Sequence, residues 1–479
     1  MPTPLRALLA ALLLLAAGAC GPIHDDSLVI HAGTLIDGSG TVRRNCAIVI
    51  RGGRIAAIGG EQAGARSIDA RDATVLPGLR DGHVHFCLTG GALRTAGEVM
   101  SPRMKIRSAL LCGVTTMRSL GDDPAILAPI RSPRLLAAGP VVTGDREHPT
   151  EVIGFEKATS SAPVEGFDVV KVVHSRERTT ACVEFAHRRG LRCLAHVETR
   201  DQALEALALG VDGIEHFPRG MDDDVVRALR ERGATWEPTL AAEWARRADL
   251  TTYVERDDVK RSVPEAVRRS AGWGLKRDTS AMPDLSWVAK AHRAGVRISA
   301  GSDAGAAGVF FGAGLIRELE LLVEAGLSPV EAIGCSVTPL RVGAPADLVI
   351  VPGDASRDIT ALRTPRLVLV DGAPAVLPPA EPPARWALIG DALSCDGRRV
   401  TGRVERWSQL VIEVEPRGMT ALRVKARGRH ELLLGHRDRD LRADSTPVTI
   451  DPDRLVTVRF TFWPGDIDFE LESLEFSFS

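Results

Sequence analysis

The sequence predicts an α/β protein: a (β/α)8 TIM-like barrel, a small β-sandwich built from segments flanking it, and a C-terminal all-β domain. Three observations carry this. Between Ala73 and Leu340, eight strand-like runs alternate with helical patterns, over a span close to the ~250 residues that such barrels use. Strand-like runs also lie on both sides of that stretch, at 28–72 and 341–377, each set too short to close a core by itself. After the proline pairs 378–379 and 382–383 the helical patterns stop, and alternating segments run to the end of the chain.

Taken in order, residues 1–20 read as a targeting segment. Arg6 precedes an apolar run from Ala7 to Ala17 that is too short to span a bilayer, and Ala17-Gly18-Ala19 precedes Cys20. This pattern resembles a bacterial lipoprotein signal with Cys20 as the lipidated residue, an ordinary cleaved secretory signal being the alternative. Both place the mature chain on the periplasmic side of a membrane, lipid-anchored in the first case.

From Leu28 to Ile68 short strands alternate with turns, and Gly52-Gly53 between two of them signals a hairpin. Ala346 to Val351 and Arg366 to Gly372 supply the returning strands of the sandwich. The barrel strands are Thr74–Leu79, Val114–Leu120, Arg134–Val142, Asp168–His174, Leu191–Val197, Gly213–Phe217, Ala234–Leu240 and Val296–Ala300, with helical patterns such as Thr199–Leu209 between them. The stretch Glu237–Leu285 exceeds a normal connection and reads either as a lid or as a decorated surface helix pair. Residues 384–479 read as a separate all-β domain of unassigned role.

Composition narrows the function. Apolar residues make up 44%, charged residues 25%, and the net charge is −2, so no bulk basicity attracts nucleic acid. One Tyr and twelve Phe are too few for a surface of stacked bases. The eight cysteines form no C-x-x-C pair, and most sit in strand or helix patterns where a thiol packs as a small apolar group. A disulfide framework does not follow.

The chemistry centres on Asp81-Gly82-His83-Val84-His85. Residues two apart on an extended chain share a face, so His83 and His85 can offer both imidazoles to one metal ion. Such a pair is common in proteins without metal, and its meaning depends on the other strand ends. Lys171 lies inside the apolar run Val169–Val173, His196 ends the fifth strand, His216 ends the sixth, and Asp303 follows the eighth. In a barrel of parallel strands these ends share one rim.

With these residues in place, the chain resembles the amidohydrolase superfamily, and within it the imidazolonepropionase-like and prolidase-like hydrolases. The resemblance rests on Pro77 to His85, Gly113-Val114-Thr115-Thr116, Val170-Lys171-Val172, Ile214-Glu215-His216, Gly301 to Gly305 and Ala346 to Val349. It implies two zinc ions, with other divalent metals as substitutes. His83, His85 and Asp303 would hold one ion, His196 and His216 the other, and a carboxylated Lys171 would bridge them. It further implies that metal-activated hydroxide attacks a carbonyl while Asp303 carries the proton to the leaving group. His148, in the loop after the third strand, occupies the place of a substrate-contacting histidine, though its neighbours depart from the family pattern.

The function implied is hydrolysis of an amide bond of a small molecule, such as a dipeptide or N-acyl amino acid. A cyclic-amide or ester hydrolase on the same site is the enzymatic rival, and a non-catalytic binding lipoprotein using the barrel as scaffold is the rival of another class. The sequence fixes neither substrate nor oligomeric state, and leaves an oligomer open.

Overall fold

The structure is a computed structural model. It describes residues 27–59, 66–88, 102–122, 168–271 and 278–375 continuously, with separate strand segments within 134–153 and 384–478. Along the chain the first seventeen strands are β1 (Leu28–Ile36), β2 (Val42–Arg51), β3 (Arg54–Ile58), β4 (Arg66–Pro77), β5 (Leu79–Val84), β6 (Val114–Ser119), β7 (Arg134–Ala137), β8 (Val141–Val142), β9 (Val152–Ile153), β10 (Val169–Val173), β11 (Arg192–His196), β12 (Gly213–Glu215), β13 (Thr235–Glu237), β14 (Arg297–Ile298), β15 (Leu348–Pro352), β16 (Leu367–Val370) and β17 (Ala373–Pro374).

One seven-stranded sheet runs β17-β16-β15-β4-β1-β2-β3, combining strands from both ends of the central region. Strands β2 and β3 form the hairpin at Gly52-Gly53, where both residues have positive φ (53° and 74°), the conformation glycine adopts without a Cβ penalty. The β1–β4 register slips at Gly33, whose Cβ would lie 1.9 Å from the Arg71 carbonyl oxygen, so only glycine allows the two strands to approach. Ile30, Leu35, Ile48, Ile55, Leu348 and Ile350 are buried together on this sheet. Each such side chain contributes about 1.5–3 kcal/mol relative to exposure.

The remaining strands before β15 form two parallel arcs, β5-β6-β7 and β14-β13-β12-β11-β10-β8-β9. The arcs meet edge to edge. Gly82 N–H donates to Ala300 O at 3.0 Å and His85 N–H to Ala304 O at 2.8 Å, and Val84 bridges Ala304 in parallel. Capped helices lie between the strands. Thr199 and Gln202 form a capping box at Arg200–Leu209, and Asp222 caps Asp223–Arg232.

Three sequence boundaries need correction. Thr74–Pro77 ends β4 of the composite sheet and pairs with β15, while the first barrel-type strand is Leu79–Val84, so His83 lies within a strand. Both strands are buried, hence the apolar run continues through the break, and Gly78 marks the passage: a Cβ there would sit 2.0 Å from Thr115 Oγ1. Arg134–Val142 divides into β7 and β8, which belong to different sheets. Glu237 ends β13, and the helices after it bury Leu240, Leu250, Tyr253, Val259, Val263 and Val267 in the main core, so this stretch is core structure rather than surface decoration.

Ten strands between Ala384 and Phe478 form two antiparallel five-stranded sheets. Residues 1–20, including Cys20, and the loop bearing His148 lie outside the described residues.

Candidate metal centre

Where the two arcs meet, the backbone itself assembles a site. Asp303 N–H donates to His83 O at 2.9 Å, which brings the turn after β14 against the end of β5. Asp81 rivets the same junction, accepting from Ser302 N at 2.9 Å and Ser302 Oγ at 2.6 Å, while burial pushes its carboxyl up to about 7. Asp303 has φ +62°, a left-handed conformation uncommon for a residue with a side chain, and this turns its carboxylate toward the histidines. Its Oδ1 lies 3.1 Å from His85 Nε2 and 3.5 Å from His83 Nε2, and those two nitrogens are 3.2 Å apart.

His216 joins from the end of β12, also at positive φ (72°). Its N–H donates to Glu237 O, and its own carbonyl accepts from Trp236 Nε1 at 2.8 Å, so the strained backbone is held on both sides. The His216 ring stands 5.0 Å from that of His83 and 4.3 Å from that of His196, measured between centroids. Four imidazoles therefore form a chain in the order His85, His83, His216, His196.

Lys171 is buried in the middle of β10, with an Nζ that has no hydrogen-bond partner among the described residues. Burial lowers its pKa, opposed by the carboxylates of Glu215, Asp303 and Glu237. An amine so placed is a better nucleophile than an ordinary surface lysine. Burial likewise holds His83 and His216 well below the usual imidazole range, with Lys171 a further cause for both.

This donor set fits a cation. The Glu215 carboxyl lies 2.8 Å from His83 Nδ1, on the side of the ring away from Nε2, which faces His85 and Asp303 as a possible ligand atom. Thr239 Oγ1 lies 2.9 Å from His216 Nδ1 and leaves the opposite nitrogen for the same purpose. His83, His85 and Asp303 offer donor atoms all within 4.8 Å of one another, the compact arrangement a metal ion requires.

Three further residues were given no role in the sequence reading. Arg118, Glu215 and Glu237 are buried below the histidines, with Arg118 Nη2 3.0 Å from Glu237 Oε2 and 3.6 Å from Glu215 Oε1. A signal existed for one of them: Arg118 falls inside the strand candidate Val114–Leu120, and a charged residue in a buried strand demands buried partners. His174 faces away from the centre, toward the helices, where Thr179 and Glu205 bind it. His187 and His292 pair with Asp212 and Glu331 elsewhere on the molecule.

With this geometry in hand, comparison with known proteins is informative. Residues 74–375 match the model of the amidohydrolase family. An uncharacterized protein of Mycobacterium tuberculosis is 28% identical over 337 residues, covering 62% of this chain and 84% of that one. Ochratoxinase of Aspergillus niger is 25% identical over 440 residues, covering 71% of this chain and 84% of the enzyme. Among solved structures, a Bifidobacterium longum protein assigned as a prolidase superposes with a TM-score of 0.59 at 25% identity, covering 74% of this chain and 96% of that one.

Proposed function

The chain belongs to the amidohydrolase family, metal-dependent hydrolases of carbon–nitrogen bonds, and from that premise we propose that it cleaves the amide bond of a dipeptide or N-acyl amino acid at a pair of divalent metal ions, zinc being the first choice. One observation carries the reading furthest: four imidazoles and Asp303 converge where a buried Lys171 amine has no hydrogen-bond partner among the described residues. Ochratoxinase and the prolidase-like structure, both at 25% identity, favour amide substrates.

In this reading the parallel arcs are parts of one (β/α)8 barrel, and the centre sits at the carboxyl ends of its strands. His83, His85 and Asp303 would hold one ion, and His196 and His216 the other. Lys171 would join them as a carbamate: its neutral amine adds to carbon dioxide, forming an N–C bond and releasing one proton. A metal pair held by these residues would supply Lewis acidity for the hydrolysis. Glu215 and Thr239 keep the His83 and His216 rings turned inward. Asp303, with Oδ1 directed at His83 and His85, has Oδ2 to hold the proton of the attacking water and pass it to the leaving nitrogen. Cys20 would anchor the mature protein by lipid to the periplasmic side of a membrane, and 384–479 would form a domain apart from the hydrolase.

The test is hydrolysis of a pooled library of dipeptides and N-acyl amino acids by zinc-loaded protein prepared with bicarbonate, with Lys171→Ala as control. Cleavage by the wild type and not by the variant supports the reading and names the substrate side chains. Two bound metals without cleavage would redirect the search to cyclic amides and esters, and a protein that binds no metal would favour the scaffold function.

A further inference from the structure

We propose that Arg118, Glu215 and Glu237 form a positioning layer beneath the metal centre, which presets His83 as a ligand by fixing its Nδ1 as the protonated nitrogen. The inference rests on the metal-centre reading for its consequence, but its geometry stands apart from it. Glu215 Oε2 lies 2.8 Å from His83 Nδ1, and Glu237 Oε1 lies 3.8 Å from the same nitrogen. Arg118 holds both carboxylates from below, and its Nε donates to Gly82 O at 2.7 Å, tying the layer to the strand that carries His83. None of these side chains exceeds 4% exposure.

The backbone is cut to admit this layer. A Cβ at Gly82 would come within 2.1 Å of Glu237 Oε2, and one at Gly301 within 2.3 Å of Glu237 Oε1. The chain thus lacks a side chain at two points where the carboxylate passes, one in β5 and one in the segment after β14. Stability is a weak reason for such an arrangement, since apolar groups of similar volume commonly serve as well as a buried ion network. A carboxylate behind a ligating imidazole has another use: it sets the tautomer, aims the ring and raises its basicity.

Two features narrow the role. His83, Glu215 and Glu237 place donor atoms within 4.8 Å of one another and could hold a cation of their own, but the Arg118 guanidinium already supplies the positive charge there. The layer also singles out one ligand: His216 is held by the neutral Thr239 hydroxyl, and His85 Nδ1 is buried without a hydrogen-bond partner among the described residues. Its loss should therefore weaken the ion at His83, His85 and Asp303 ahead of the ion at His196 and His216.

The experiment uses the full chain as wild type, Glu215→Ala and Glu215→Gln, with two readouts. The first is the His83 tautomer in metal-stripped protein, from long-range 15N–1H NMR of histidine-labelled samples, with the resonance identified by its absence in His83→Gln. The second is zinc content against chelators of graded strength. We expect His83 protonated on Nδ1 in the wild type without metal. Glu215→Ala should mix the tautomers and weaken one of the two ions about 10–100-fold, leaving the other unchanged. Glu215→Gln, whose amide oxygen still accepts from Nδ1, should keep the tautomer and recover most of that affinity, which separates positioning from a general packing defect and keeps the test open if the alanine variant fails to fold. Unchanged tautomer and affinity in Glu215→Ala would overturn the proposal, as would loss of His83 Nδ1 protonation in Glu215→Gln or a third zinc in the wild type lost with Glu215. A fixed Nδ1 tautomer in a wild type that binds no zinc would sink the metal-hydrolase reading and leave the positioning layer standing.

Discussion

The composite sheet and the parallel arcs treat their interiors in opposite ways. The composite sheet buries Ile30, Leu35, Ile48, Ile50, Ile55, Leu348 and Ile350 in an apolar core. The parallel arcs bury Arg118, Lys171, Glu215, Glu237 and His83. The strands of the arcs resolve the contrast within themselves. Val170 and Val172 flank Lys171, Cys193 and Ala195 flank Leu194, Ile214 precedes Glu215, and Trp236 precedes Glu237, and those flanking residues all belong to the main apolar core. Because a strand sends alternate side chains to opposite faces, one face secures the fold against the helices while the other carries desolvated charge. A protein can sustain costly interior charges when the same strands are anchored from behind.

Substitutions that act on one face alone test this division. The largest expected effect is on the chemical face: Asp303→Ala should lower the rate of amide hydrolysis by about 10²–10⁴-fold, the range for a lost acid–base group, and more if a metal ion leaves with it. Calorimetry of the metal-stripped protein should show an unfolding transition close to that of the wild type. A transition displaced as far as those of core variants would mean that the inner face also holds the fold together. On the outer face, Ile214 is fully buried in the main core, and Ile214→Ala should cost about 2–5 kcal/mol in denaturant unfolding. The folded fraction should still bind its full complement of metal.

Gly301→Ala probes the seam between the two faces with one added methyl. Overpacking of this kind costs about 1–3 kcal/mol, and here the displaced group is the Glu237 carboxylate. Reduced stability should therefore accompany weaker zinc retention, measured on the same samples. Stability loss with unchanged zinc retention would show that the layer beneath the histidines can shift without disturbing them.

Much of this was legible in the sequence, and the gaps have physical causes. His83 is the penultimate residue of β5 with His85 just beyond it, His196 ends β11, His216 follows β12 and Asp303 lies beyond β14, so the alternation of elements was enough to group them. The break between β4 and β5 was not legible, because strands buried on both faces give one continuous apolar run with only Gly78 to divide it. Glu215 was read only as part of a motif, since nothing local distinguishes a carboxylate that supports a histidine from one exposed at a strand end. Glu237 fell where the strand Ala234–Leu240 overlaps the long stretch Glu237–Leu285 and was given no role, whereas its neighbours in space are Gly82, Gly301 and Arg118. Pairings made through space by residues more than a hundred positions apart leave no mark on local pattern.

The smallest expected effect belongs to the composite sheet. Ile48 is fully buried there, opposite Ile30 across the β1–β2 ladder, and Ile48→Val removes one methylene from that core. The lost transfer energy and the small void together cost about 0.5–1.5 kcal/mol. Strands β1 and β2 contribute none of the residues of the metal centre, so zinc retention and hydrolysis should match the wild type while the unfolding midpoint falls. A parallel fall in zinc retention would show that the sheet does more than cover β4. The route for such coupling is short: β4 runs through Gly78 directly into β5, and Gly78 N–H donates to Asp347 O at 2.8 Å at the margin of the same sheet. Equal activity at reduced stability would mean that this junction isolates the chemistry from the packing beside it.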